Sequence, residues 1–265
     1  MIIIGELINS TRKSINAAIE ARDKGTLQKI AKDQAEADAK YIDVNAGSFQ
    51  DRETEYLAWL VEVVQEVVDL PCCIDSANPA ALEAALKVHK GIPMINSISL
   101  EKDRRDKLLP VLAGKDLKIV ALCTSDAGIP RTAADRLTIA DQLIELLLHH
   151  GVKLENIYVD PLVQPVATDK IFGSEFLESI AQILTRFPGI HTMCGLSNIS
   201  FGLPQRKFLN RTFMAMAIAK GLDAAILDPL DTQMMGVVIA AETLIGRDNF
   251  CMNYIKAYRG EKLGV

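Results

Sequence analysis

Residues 193–202 read Met-Cys-Gly-Leu-Ser-Asn-Ile-Ser-Phe-Gly, an apolar run that stops on two polar side chains, Ser197 and Asn198. The same pattern occurs three times earlier: Cys72-Cys73-Ile74-Asp75-Ser76, Met94-Ile95-Asn96-Ser97 and Ile157-Tyr158-Val159-Asp160-Pro161. Taken singly, each is satisfied by a turn or a helix N-cap, where Asp, Asn and Ser dominate. Four of them at the ends of successive apolar runs point to a shared site. An α/β barrel builds its active site in this way, from the carboxyl ends of several strands.

The full set of polar residues at such ends is Glu6, Asn9, Asp43, Asn45, Asp75, Asn96, Asp126, Asp160, Ser197, Asn198 and Asp228. It contains no Lys, no His and no Cys at an exposed tip, so Schiff-base and thiolate chemistry are poorly supplied. A cage for a hard cation needs closely spaced carboxylates, and the sequence has no such cluster. No bound metal is expected. What the set can do is recognise a ligand rich in N–H donors. A carboxylate accepts two parallel hydrogen bonds from a flat N–H/NH2 edge, as it does from guanidinium. A pterin ring presents that edge. Asp75 and Asp160 suit the role best, because each directly ends an apolar run.

Such residues need a frame, and the chain alternates strand and helix eight times. Strands are expected over 1–5, 41–45, 71–75, 92–96, 117–122, 156–160, 191–196 and 223–227, as short continuous apolar runs typical of parallel sheets buried on both faces. The helix region after the first strand, capped by Thr11 or Ser14 and reaching residue 39, should be split by Gly25. Further helices are expected over 53–68, from Asn78-Pro79 with proline in the first turn, and over 101–112, 132–149, 174–186, from about 210, and 232–244. This pattern predicts a closed parallel (β/α)8 barrel. The nearest alternative, an open doubly wound sheet, usually carries a Gly-rich loop after its first strand, and Gly5-Glu6-Leu7-Ile8-Asn9 is not one.

The totals agree with a single barrel domain over residues 1–265, with 49% hydrophobic residues. A net charge of −5 with both signs interspersed argues against a nucleic-acid footprint. No apolar stretch approaches a membrane span, and no amino-terminal targeting signal is apparent. The five cysteines form no CxxC pair, which suits free buried thiols in a reducing cytoplasm. His149-His150 suits a helix carboxyl terminus, where positive charge is favoured.

Several motifs occur in a recognisable order: Gly5-Glu6-x-Ile8-Asn9, Asp43-x-Asn45-x-Gly47, Asp75-Ser76, Ile95-Asn96-Ser97, Tyr158-x-Asp160-Pro161-Leu162, Gly195-Leu196-Ser197-Asn198-x-Ser200, and Leu-Asn-Arg-Thr-Phe-x-Ala-Met-Ala over 209–217. In order and spacing they resemble the methyltetrahydrofolate:corrinoid protein methyltransferases, and they are similar to the folate-binding domain of cobalamin-dependent methionine synthase. The resemblance covers essentially the whole chain. It implies a pterin-binding barrel, commonly a homodimer, acting in one-carbon metabolism such as acetogenesis or a demethylation pathway. The implied reaction moves a methyl group between N5 of tetrahydrofolate and the cobalt of a corrinoid held by a separate protein. On matching positions Asp75, Asn96 and Asp160 would hold the pterin, with Ser197 nearby. Asp43 and Asn45 belong to the same substrate-binding set. Asn198 would reach N5, and Arg206 would lie at the mouth near the folate tail or the docked corrinoid. Some relatives carry Gln where this chain has Phe201, so any polar contact made by that Gln does not transfer. The corrinoid is expected on a partner, because no Asp-x-His-x-x-Gly cobalamin-ligating segment is present.

Little covalent chemistry is asked of the protein in such a transfer, so positioning and control of N5 dominate. The Asn198 amide can donate a hydrogen bond where charge grows on N5. Two alternatives share the pterin pocket. A dihydropteroate synthase would carry a Lys after strand seven, where Lys207 is near, and an Arg-x-His near strand eight, where this chain has Asp228-Pro229-Leu230-Asp231. A folate-binding protein without turnover is the other.

Overall fold

The computed structural model describes residues 1–264 and shows eight parallel strands paired in chain order and closed into a barrel. They are β1 (Ile2–Asn9), β2 (Tyr41–Asn45), β3 (Cys72–Asp75), β4 (Met94–Ile98), β5 (Lys118–Leu122), β6 (Ile157–Asp160), β7 (His191–Gly195) and β8 (Ala224–Leu227). β8 returns to β1, with Ile2 beside Ala224 and Gly5 beside Leu227. Around the barrel run α1 (Lys13–Glu20), α2 (Lys24–Glu36), α3 (Glu53–Gln65), α4 (Pro79–Val88), α5 (Lys102–Leu112), α6 (Ala133–His149), α7 (Phe172–Arg186), α8 (Arg206–Ala219), α9 (Thr232–Leu244) and α10 (Met252–Arg259).

Successive side chains on a strand point to opposite faces, and here both faces are buried. Ile42, Ile74, Ile95, Ile119, Ile157 and Val159 pack outward into the apolar layer under the helices. Ile4, Tyr41, Cys73, Met94, Val120, Tyr158, Met193 and Ala224 point inward and form a separate core inside the barrel. That double burial is why the strands read as unbroken apolar runs. At the amino-terminal end the interior is plugged by polar-tipped side chains. The Tyr158 and His191 rings stack with centroids 4.5 Å apart, and the Lys118 ammonium donates to Tyr158 Oη at 3.1 Å. His191 Nδ1 lies 2.6 Å from Asp223 Oδ2.

Caps account for several helix starts. Asn78 Oδ1 accepts from Ala80 N–H at 3.0 Å beside Pro79, and Thr132 and Asp135 form a reciprocal capping box at α6. Other boundaries differ from the expectations above. The break between α1 and α2 falls at Ala21–Asp23 and not at Gly25, because Arg22 takes a left-handed φ of 54° and Asp23 then caps α2 through Thr26 N–H. Neither Thr11 nor Ser14 caps α1: the Thr11 hydroxyl donates to Asn9 Oδ1 at 2.7 Å. β4 starts at Met94, with Ile92 exposed. α8 starts at Arg206, four residues before the expected Asn210, after a left-handed Gln205. α10 adds a helix beyond the eight units.

Candidate functional site

Two residues beyond each inward-facing core residue, the same strand face reaches the carboxyl-terminal mouth. Cys73 is followed by Asp75, Met94 by Asn96, Tyr158 by Asp160 and Tyr41 by Asp43. The pleat therefore lifts Asp43, Asp75, Asn96 and Asp160 onto the barrel interior. Register places Asn45 beside Asp75 and Asp75 beside Asn96. Asn45 Nδ2 donates to Asp75 Oδ2 at 3.0 Å, while Asn45 Oδ1 accepts from Ser10 Oγ at 2.8 Å. Asn45 thus acts as a fixed hydrogen-bond donor to Asp75.

The mouth is rich in acceptors and short of donors. Burial raises the Asp43 carboxyl well above the ordinary range, and the neighbouring charge of Asp75 adds to this. Asp43 Oδ1 is buried with no hydrogen-bond partner among the described residues. Burial also raises Asp75, against the Asn45 hydrogen bond and the charge of Arg104. Asp160 is pushed up to about 6 by burial, opposed by backbone N–H groups of Leu162 and Gly195 and by the charge of Arg136. Glu6 is raised by burial despite Arg12, whose Nη2 donates to it at 2.6 Å. Buried carboxylates in this state are stabilised by a ligand that brings N–H donors, so the acceptor set suits a flat N–H edge.

The Ser197–Asn198 pair sits on a short 3-10 turn, Leu196–Ser200, directly after β7, with both residues exposed. Arg206 points back at this turn, donating to the Ser197 carbonyl at 2.6 Å. Not every strand-end residue joins the site. Asn9 is engaged by Thr11, Asp126 accepts from Lys102 N–H at 3.2 Å at the start of α5, and Asp228 accepts from Leu230 N–H at 2.9 Å. These three act as turn and helix-cap residues, although Asp228 also faces Glu6 across a cavity of about 180 Å3.

Three residues of the site carry no strand-end signal in the sequence. Arg104 of α5 donates from Nε to the Ser97 carbonyl at 3.0 Å. Buried Glu53 accepts from Ser76 Oγ at 2.5 Å. Arg136, fully buried in α6, donates from Nε to the Pro161 carbonyl at 2.7 Å, beneath the loop where Leu162 N–H meets Asp160 Oδ1 at 2.8 Å. Among the described residues no group of three or more His, Cys, Asp or Glu is arranged to hold a metal ion. No helix among them is long and apolar enough to cross a membrane.

Residues 5–228 match the family model of the pterin binding enzymes. A methylcorrinoid:tetrahydrofolate methyltransferase of Eubacterium limosum is 39% identical over 266 residues, covering 100% of this chain and 98% of that protein. The chain belongs to this family of pterin-binding methyltransferases. A methionine synthase of Mycobacterium tuberculosis (strain ATCC 25618 / H37Rv) is 31% identical over 240 residues, 86% of this chain but 20% of that longer protein. In fold, the methyltransferase is similar to a 7,8-dihydropteroate synthase from Vibrio fischeri ES114, with a TM-score of 0.72 and 92% of each chain covered. At 17% identity that likeness concerns architecture alone.

Proposed function

We propose that this methyltransferase binds tetrahydrofolate with the pterin deep in the barrel mouth and exchanges a methyl group between its N5 and the cobalt of a corrinoid carried by a separate protein. The observation that carries the reading is the full-length relationship to the Eubacterium limosum methyltransferase. The acceptor-rich mouth supports it. Asp75 and Asp160 would take the pterin N–H groups, Asn96 would complete the ring contacts, and Asp43 and Asn45 would support Asp75 from beneath and beside. Ser197 would lie next to the ring and Asn198 at N5.

The name of that relative gives a direction, from methylcorrinoid to folate. In that direction the N5 lone pair attacks the methyl carbon, and the carbon–cobalt bond breaks with its electron pair left on cobalt, which passes from Co(III) to Co(I). N5 carries positive charge until its proton leaves. In reverse, Co(I) attacks the N5-methyl carbon and N5 must gain a proton or a hydrogen bond to depart. The Asn198 amide is neutral at any working pH, so it can donate to N5 or accept from it in either direction without changing charge.

The test is transfer between 5-methyltetrahydrofolate and free cob(I)alamin, followed by the conversion of Co(I) to methyl-Co(III). Folate binding without transfer to cobalamin or to any corrinoid protein would leave a folate-binding protein. Condensation of a pterin pyrophosphate with p-aminobenzoate would mark a dihydropteroate synthase instead. Against the latter, Lys207 lies on the surface and pairs with Asp231 at 3.5 Å.

The reading takes 1–265 as one domain, working as a cytoplasmic homodimer. Large exposed apolar side chains, Leu244, Phe250 and Tyr258 among them, give a second copy a surface to cover. Light scattering on the purified chain checks this, and a monomer at micromolar concentration would overturn it.

A further inference from the structure

Asn198 rides on a single 3-10 turn, and among the described residues nothing hydrogen-bonds its side-chain amide. Turns of this type have poor internal hydrogen-bond geometry, so the position of the amide must be set from outside. Arg206, the first residue of α8, does this on both flanks. Its Nη2 donates to the Ser197 carbonyl at 2.6 Å and its Nε donates to Ser200 Oγ at 3.0 Å. Ser200 Oγ in turn donates to the Ser197 carbonyl at 3.4 Å, and the guanidinium carbon lies 6.0 Å from the Phe201 ring centroid. On the far side, Val166 N–H donates to the Ile199 carbonyl at 3.1 Å. Arg206 therefore brackets Asn198 at residues 197 and 200–201. Arg104 fastens the end of β4 in the same manner, through the Ser97 carbonyl.

We infer that Arg206 is a positioning residue, holding the turn so that the Asn198 amide sits where N5 is presented, and not a contact for the folate tail or the docked corrinoid. This rests on the reading of Asn198 given above. A planar guanidinium suits the task, because its donors leave in fixed directions and reach a carbonyl and a hydroxyl together. Among the described residues, the only other side chain that hydrogen-bonds the backbone of this turn is its own Ser200, at 3.4 Å.

The experiment is a double-mutant cycle of Arg206→Ala and Asn198→Ala, with Arg206→Lys and Ser200→Ala alongside. Single-turnover transfer from 5-methyltetrahydrofolate to free cob(I)alamin is measured at saturating folate, and folate Kd by calorimetry. Arg206→Ala should lower the saturated rate about ten- to a hundredfold, the scale set by small misplacement of a reacting group, with folate Kd within about twofold. Arg206→Lys should recover part of the loss, since an ammonium still reaches the Ser197 carbonyl. Ser200→Ala should show a weaker form of it. In the Asn198→Ala background Arg206→Ala should add less than about twofold, because both changes remove one function. Additive losses in the double variant would overturn the inference, and so would a loss confined to folate Kd or to the half-saturating cobalamin concentration. A parent-like rate in Asn198→Ala alone is a different result and removes the reading of Asn198 itself.

Discussion

Folate binding should be coupled to a proton on Asp160. Burial pushes this carboxyl up to about 6, against the N–H groups of Leu162 and Gly195 and the charge of Arg136. A pterin edge needs the ionised form, because a protonated acid turns a hydrogen toward a ring N–H and loses an acceptor. With a pKa of about 6, the ionised fraction falls from nearly all at pH 7.5 to roughly a tenth at pH 5, so Kd for 5-methyltetrahydrofolate should rise about tenfold. The sign follows from linkage. The ligand selects the ionised form, so affinity is full above the free-enzyme pKa and is lost as pH falls through it, with proton release on binding in the acid range. Asp43 and Asp75 are also raised and titrate in the same sense. Asp160→Asn isolates the contribution of Asp160. Losing a hydrogen bond to a charged acceptor costs about 1.5–3 kcal/mol, which is roughly ten- to a hundred-and-fiftyfold in Kd already at pH 7.5. The remaining pH slope should be shallower. Calorimetry in two buffers of different ionisation heat reads both Kd and protons exchanged. A flat Kd between pH 7.5 and pH 5, with no proton released, would mean that Asp160 does not have to ionise for folate to bind.

Three other outcomes are expected. Asn198→Ala should keep folate Kd within a modest factor while single-turnover transfer falls by about 10²–10³, the usual cost of one donor aimed at developing charge. Thr132→Ala, which removes the α6 capping box, should lower unfolding free energy by about 1 kcal/mol in urea titrations with activity retained. Elemental analysis of the purified chain should find cobalt far below one atom per chain, since the corrinoid is read as arriving on a partner.

The strands and the mouth were legible because one physical rule set both. A parallel strand buried on each face must be apolar until it leaves the barrel, so the first Asp or Asn marks both its end and its exit into the mouth, as at Asp75 and Asp160. The residues that hold the mouth together were not legible. Arg136 sits in a helix whose polar positions read as solvated, and two of its three acceptors are loop carbonyls some 25 residues onward, at Pro161 and Leu162. Arg104 lies in the charged run Glu-Lys-Asp-Arg-Arg-Asp-Lys, where nothing local separates the arginine turned to Ser97 from its neighbour on Asp106. The start of α8 was missed because a left-handed Gln205 replaces a side-chain cap. Asp228 directly ends an apolar run as Asp75 does, yet it and Asp126, which follows three residues of loop, are engaged by neighbouring backbone N–H groups as turn and cap residues.

The plug at the lower end of the barrel, where Tyr158 lies between Lys118 and the His191 ring, has a kinetic consequence. It leaves the interior with one doorway, at the mouth. On the proposed reading, a pterin seated deep in that mouth and a corrinoid protein delivering its cobalt from above would use the same entrance in turn. Folate would then have to arrive before the protein partner covers the opening, and could leave only after that partner has gone. Steady-state measurements should accordingly show a compulsory order with folate first on and last off, and excess corrinoid protein should slow turnover by trapping folate inside. Random-order kinetics would mean that the two reactants pass each other at the mouth.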